Sequence, residues 1–146
     1  SDELYDVAID VSIFALGVKF KHSIYDKCFF TLNLAQAYKW AENQDKCIEV
    51  LRKEDCSAWR DEFLLPKYVL EDDYESAYKL MLRVGDNNGV LTATAYRDWP
   101  IFKEIRKEKQ FSDLFHEIFG EQLRENVNVG NEKMIHEENV ANKEVQ

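Results

Sequence analysis

Apolar residues recur every three or four positions along most of the chain, which is the spacing of one face of an α-helix. The first apolar stripe runs through residues 4–18, and a polar stretch follows it at 19–22. A second stripe, from residue 24 to about residue 41, is apolar over so wide an arc that its helix must contact neighbours on two sides. The pattern therefore predicts an all-α protein that opens with a helix over residues 3–21.

Two segments that lie thirty residues apart share one arrangement of residues. The shared positions are Leu34, Tyr38, Cys47 and Leu51 in the first segment and Leu64, Tyr68, Ala77 and Met81 in the second. In each segment a polar turn, at 42–45 or 71–75, separates two apolar stretches, which predicts two helices joined by a turn. Repetition of this kind indicates stacked helical hairpins, because one hairpin cannot bury its apolar face alone.

Beyond residue 85 the pattern predicts a third unit and then a polar tail. Pro100 suits the first turn of a helix. The last helix is expected to begin at Ser112, with Phe111 packed just before it, and to end at Gly120. The predicted hairpin units are 23–56, 57–85 and 86–120. The tail, 121–146, contains no aromatic residue, and we expect at most one short helix in it, at about 131–142.

Charge and apolar run length restrict the partners that we expect. The formal net charge of −9 opposes a polyanionic partner, because phosphate binding relies on Lys and Arg. The basic residues of 102–111 alternate with glutamates, which favours a salt-bridged surface over a nucleic-acid site. No apolar run is long enough to span a bilayer and no signal-peptide pattern is present, so we expect a cytoplasmic protein without membrane contacts. Because the chain begins with Ser1, we also expect it to be a fragment of a larger protein.

The residues of the two repeats resemble a known family. Leu34-Ala35-x-x-Tyr38 followed by Cys47 and Leu51 resembles the tetratricopeptide repeat, and 64–81 is similar to a second copy. The segment DWPIFKEIRKEKQF is similar to one that often closes bacterial arrays of such repeats. The resemblance covers residues 23–120 and implies a right-handed α-α superhelix of stacked helical hairpins.

The chain also departs from the family pattern. Its period is 30 residues instead of about 34. Pro66 falls inside the first helix of the second unit, where it should kink or delay that helix. An irregular helical-hairpin solenoid of another kind is therefore the alternative fold.

Members of that family mostly bind proteins or peptides in a concave groove lined by their first helices. The resemblance places the groove positions of this chain at Phe29, Leu32, Gln36, Lys39, Trp59, Glu62 and Val69. We therefore expect a non-catalytic scaffold or regulatory module that binds a protein or peptide. The competing interpretation is that Phe29, Leu32 and Trp59 are packed beneath other parts of the fold.

Self-assembly and catalysis are the two alternative functions. A structural domain for self-assembly would use DWPIF and the C-terminal tail to contact a second copy, forming a homo-oligomer. A small helical enzyme would need a cluster of ionisable groups in a pocket, and no candidate cluster is evident in the sequence. We therefore expect no catalytic site.

Metal and cofactor chemistry finds little support in the sequence. Cys28, Cys47 and Cys56 are spaced 19 and 9 residues apart, which matches neither a disulfide framework nor a metal-binding pair. His116 and His136 each lack the second histidine that a zinc-binding helix carries four residues later. A glycine-rich phosphate loop is also lacking. We therefore expect buried thiols in a reducing compartment, no bound metal and no cofactor.

Overall fold

Seven α-helices are present in the computed structural model, which describes residues 2–17 and 24–124. They are α1 (Asp2–Gly17), α2 (Ile24–Trp40), α3 (Gln44–Lys53), α4 (Asp61–Leu70), α5 (Tyr74–Val84), α6 (Ala93–Asp98) and α7 (Lys109–Phe119). Within the described ranges there is no strand, so the prediction of an all-α protein is confirmed. The predicted continuation of the first helix to residue 21 and the predicted tail helix at 131–142 lie outside the described residues.

The first five helices form two hairpins with one helix stacked in front of them. α2 packs against α3 and α4 packs against α5, while α2 also contacts both α1 and α4. The prediction that the helix of the second apolar stripe, α2, has neighbours on two sides is thus confirmed. The buried residues of α2 are Cys28, Thr31, Leu32, Leu34, Ala35 and Ala37.

The two hairpin turns share one hydrogen-bond pattern at an offset of thirty residues. In the first turn the N–H of Asn43 donates to the carbonyl of Tyr38 at 2.9 Å. In the second turn the N–H of Asp73 donates to the carbonyl of Tyr68, also at 2.9 Å. The repeat seen in the residue pattern is therefore also a repeat in the backbone.

Each turn also starts its second helix in the same way. Glu42 and Asp72 have positive φ angles of 61° and 60°, which reverse the chain after the first helix. The next residues, Asn43 and Asp73, then cap α3 and α5, because each side chain accepts a hydrogen bond at 3.2 Å from the N–H three residues later. These local interactions explain why both hairpins turn within three residues, at 41–43 and 71–73.

The third unit departs from the hairpin pattern. α6 has only six residues, and two 3-10 turns, Pro100–Phe102 and Ile105–Lys107, connect it to α7. The expected start of the last helix at Ser112 is wrong, because the N–H of Ser112 already donates to the carbonyl of Glu108 inside the helix. Gly120 ends α7 with a left-handed φ of 68°, as predicted.

The third unit closes one continuous hydrophobic core. Tyr96 is fully buried among the aromatic rings of this unit, and its ring centroid lies 5.0 Å from that of Phe102 and 5.7 Å from that of Phe111. The same core contains the repeat residues Leu51 and Met81, which are 1% and 0% exposed. Both hairpins and the third unit therefore bury their apolar faces against one another.

We predict that Asn43→Ala and Asp73→Ala each lower the free energy of unfolding by about 1 kcal/mol at neutral pH, because each leaves a helix N–H without its acceptor. The two equivalent caps should differ in their pH dependence. The hydrogen bonds from Ser76 lower the pKa of Asp73 below its usual 3.8. The carboxylate therefore stabilises the fold fully above that value, and the stabilisation is lost as the pH falls through the lower pKa of the folded state.

Urea unfolding across the pH range in which the protein stays folded measures both effects. The cost of Asp73→Ala should shrink on acidification, whereas the cost of Asn43→Ala should stay constant because an amide does not titrate. An identical pH dependence for the two variants would contradict the assigned role of the Asp73 carboxylate.

Candidate protein-binding surface

An aromatic surface patch lies where the N-terminal turns of α2 and α4 meet. The rings of Phe29 and Phe63 pack edge to face, with their centroids 5.1 Å apart. The centroid of the Tyr25 ring lies 5.5 Å from that of the Phe63 ring. Phe63 is buried, while Tyr25 and Phe29 are 40% and 36% exposed. We call Tyr25, Phe29, Trp59, Arg60 and Phe63 the α2/α4 patch. It combines aromatic residues with an arginine, as the centres of protein interfaces do.

Arg60 is held at the rim of the patch by two partners. Its Nη1 donates to the hydroxyl of Tyr25 at 2.9 Å, and its Nη2 donates to Oε1 of Glu62 at 2.5 Å. The guanidinium also lies over the Tyr25 ring, 5.9 Å from the centroid. The side chain of Arg60 is nevertheless 61% exposed. A cation that is already positioned loses less side-chain entropy when it binds an acceptor on another molecule.

A small cleft opens within the patch. Its volume is about 140 Å³, and its lining is apolar apart from the arginine and the Tyr25 hydroxyl. The lining residues are Ile24, Tyr25, Cys28, Ala58, Trp59, Arg60 and Phe63. A cleft of this size suits one aliphatic side chain of a partner, with a hydrogen-bond acceptor placed beside it for Arg60.

The structure brings three of the seven residues predicted to line the groove to this patch. Phe29 and Trp59 belong to it, but Trp59 is buried at 8% exposure and contributes only to the floor of the patch. Glu62 pairs with the patch arginine and is only 7% exposed. Leu32 and Val69 are instead buried in the core at 0% and 3% exposure. These two side chains therefore do not face an open groove, because α2 and α4 pack against each other and cover them.

Lys39, another predicted groove residue, completes the C-terminus of α4. Its Nζ donates to the carbonyls of Leu70 at 3.0 Å and Val69 at 3.4 Å, and it pairs with Asp72 at 2.5 Å. Gln44 donates to the same Leu70 carbonyl at 3.1 Å. Carbonyls at a helix end have no partner within the helix, so the first hairpin supplies donors that the second one lacks. The Lys39 side chain, which is only 12% exposed, is therefore committed to the fold.

The same face of α2, from Phe29 to Trp40, lies beside the segment 99–103. The Trp99 ring is 6.0 Å from that of Phe29, and Nζ of Lys103 is 5.2 Å from the ring of Trp40. Gln36 falls between these two contacts on one face of α2. Oε1 of Gln36 and Nε1 of Trp40 are buried without a hydrogen-bond partner. The predicted groove is thus occupied here by the protein itself, and the α2/α4 patch is the part left open.

The three cysteine thiols are poor nucleophiles. Burial raises the pKa of Cys28 and of Cys47 to about 11, and it also raises the pKa of Cys56. Since the thiolate is the reactive form, these side chains are protonated at neutral pH. Over residues 2–17 and 24–124, no group of three His, Cys, Asp or Glu side chains is placed to hold a metal ion.

Three members of the patch, Tyr25, Arg60 and Phe63, were absent from the predicted groove residues. Tyr25 precedes Phe29 by one helical turn, so helical spacing alone could have indicated it. Arg60 precedes α4 and donates to a residue 35 positions away, so only the stacking of the hairpins brings it to the patch.

Comparison with known proteins does not place this chain in a family. No family model matches it, and neither does a curated protein or a solved structure. None of the described helices is both long and apolar enough to span a membrane. The resemblance to tetratricopeptide repeats therefore stays a prediction.

We predict that Lys39→Met lowers the free energy of unfolding by about 1–2 kcal/mol, because two carbonyls and one carboxylate lose a charged donor. Lys46→Met is the matched control, since the Lys46 side chain pairs with Glu49 on the exposed surface of α3 and its loss should leave stability unchanged within error. Urea unfolding of both variants provides the comparison. Equal stability of the two variants would contradict a capping role for Lys39.

Proposed function

We propose that this protein is a non-catalytic scaffold, a right-handed superhelix of tetratricopeptide-like hairpins that binds a protein or peptide through the α2/α4 patch. The observation that carries the proposal is the exposed Arg60 guanidinium, fixed between Tyr25 and Glu62 beside an apolar cleft. Arginine, tyrosine and tryptophan contribute most of the binding energy at many protein interfaces. A fixed arginine beside a cleft is suited to binding rather than to proton transfer.

The contacts of the patch indicate what the partner must provide. The cleft requires one bulky apolar side chain, and the free donors of Arg60 require a carbonyl or carboxylate oxygen nearby. A short peptide that carries a leucine-sized anchor followed by an acidic residue meets both requirements. An extended strand and a helical turn can each present such a pair.

We predict that peptides selected from a random library against the intact chain share an apolar anchor next to an acidic residue. Tyr25→Ala and Arg60→Ala should each weaken the selected peptide about tenfold or more, as truncations at interface centres do. Leu82→Ala is the control, because Leu82 is an exposed aliphatic residue on α5 that does not line the cleft. Binding can be measured by fluorescence anisotropy. Peptides that bind both patch variants as tightly as the parent protein would refute the proposed site.

Self-assembly is the second candidate, because Ile24, Tyr25 and Phe29 form adjoining exposed apolar surface, at 51%, 40% and 36% exposure, that a second copy could cover. We predict that the intact chain stays monomeric in light scattering over a wide concentration range. The 146-residue chain should be compared with a truncated chain that ends after Arg124. The truncation keeps Leu123 because this residue is buried and its carbonyl accepts a hydrogen bond from Arg97. A dimer that is lost on truncation would favour assembly through the C-terminal tail instead.

A further inference from the structure

α1 carries an aliphatic stripe on the face that points away from the hairpins. Ile9, on the opposite face, is buried and packs against α2. Leu4, Val7 and Val11 follow one another at steps of three and four residues and so share one side of the helix. They are 71%, 59% and 61% exposed. We call these three residues the α1 stripe.

One edge of the α1 stripe is acidic. Glu3, Asp6 and Asp10 are exposed, and the helical repeat places all three on the same side of the stripe. None of them forms an ion pair with another residue in the described ranges 2–17 and 24–124. α1 also contains no lysine or arginine. The surface therefore combines uncovered aliphatic groups with negative charge that no described residue offsets.

We propose that the α1 stripe docks a basic amphipathic helix of a partner protein. The apolar face of that helix would cover Leu4, Val7 and Val11, and lysines or arginines beside it would pair with the acidic edge. This surface lies on a different helix from the α2/α4 patch, so the inference does not depend on the function proposed above.

Charge decides between this occupant and two others. A second copy would bring two acidic edges together and add its own net charge of −9 to the repulsion. An anionic membrane surface would repel the same carboxylates. A basic helix instead covers the aliphatic groups and neutralises the acidic edge at once.

The test uses a synthetic leucine–lysine peptide of the same length as α1, 16 residues, and a matched peptide with glutamate in place of lysine. The 146-residue chain is compared with three variants: Val7→Ser/Val11→Ser, Asp6→Asn/Asp10→Asn and the control Leu82→Ser. All substituted side chains are exposed, so the variants should keep the parent fold, which circular dichroism and urea unfolding can verify. Fluorescence anisotropy at low and high salt measures the affinity.

We expect the lysine peptide to bind the parent chain and the Leu82→Ser variant equally. It should bind Val7→Ser/Val11→Ser roughly tenfold more weakly, because the apolar contact is reduced. For Asp6→Asn/Asp10→Asn the affinity should fall and should depend less on salt. The glutamate peptide should not bind.

The inference is overturned if Val7→Ser/Val11→Ser binds the lysine peptide as tightly as the parent chain does. It is also overturned if the parent chain is a dimer that this variant dissociates, since the occupant would then be a second copy. Arg60→Ala should leave lysine-peptide binding intact, so failure of the α2/α4 patch and failure of the α1 stripe can be told apart.

Discussion

The two hairpins depend on each other through hydrogen bonds to the carbonyl of Leu70. It lies at the C-terminus of α4, where the helix has no internal donors left, and it accepts hydrogen bonds from Lys39 and Gln44 of the preceding hairpin. A buried carbonyl without a partner would cost more than one hydrogen bond contributes. The second hairpin therefore needs the first for its polar groups as well as for its apolar face.

This dependence sets the geometry of the candidate site. Once Lys39 holds the end of α4 beside α2, the N-terminal turns of both helices lie together and Arg60 reaches Tyr25. The segment 99–103 packs against the C-terminal half of α2, where Nζ of Lys103 lies over the ring of Trp40. The open patch is thus small and surrounded by packed residues, which suits a preformed site that binds one short feature of a partner.

The two exposed surfaces differ in their chemistry. The α2/α4 patch presents aromatic rings and a cation, whereas the α1 stripe presents aliphatic groups beside carboxylates. A partner that is complementary to one surface is poorly matched to the other. The proposed scaffold would hold two partners of opposite charge on one chain, and the charges would keep each partner from the other's site.

Local patterns in the sequence determined the helices and the way they turn. The caps at Asn43 and Asp73 need only residues within one turn, and the two turns recur thirty residues apart, as the residue pattern does. The start of α7 was misplaced because Ser112 is a suitable cap, but it lies inside a helix that buries Phe111 in the core.

Only the tertiary structure decided which residues of the predicted groove are accessible. Phe29 and Leu32 lie on the same apolar stripe of α2, and nothing in their spacing separates them. Leu32 is buried while Phe29 stays partly exposed. The ammonium group of Lys39 donates a hydrogen bond to the carbonyl of Leu70, 31 residues away. Spacing along a helix defines a face, whereas burial depends on what distant segments place against that face.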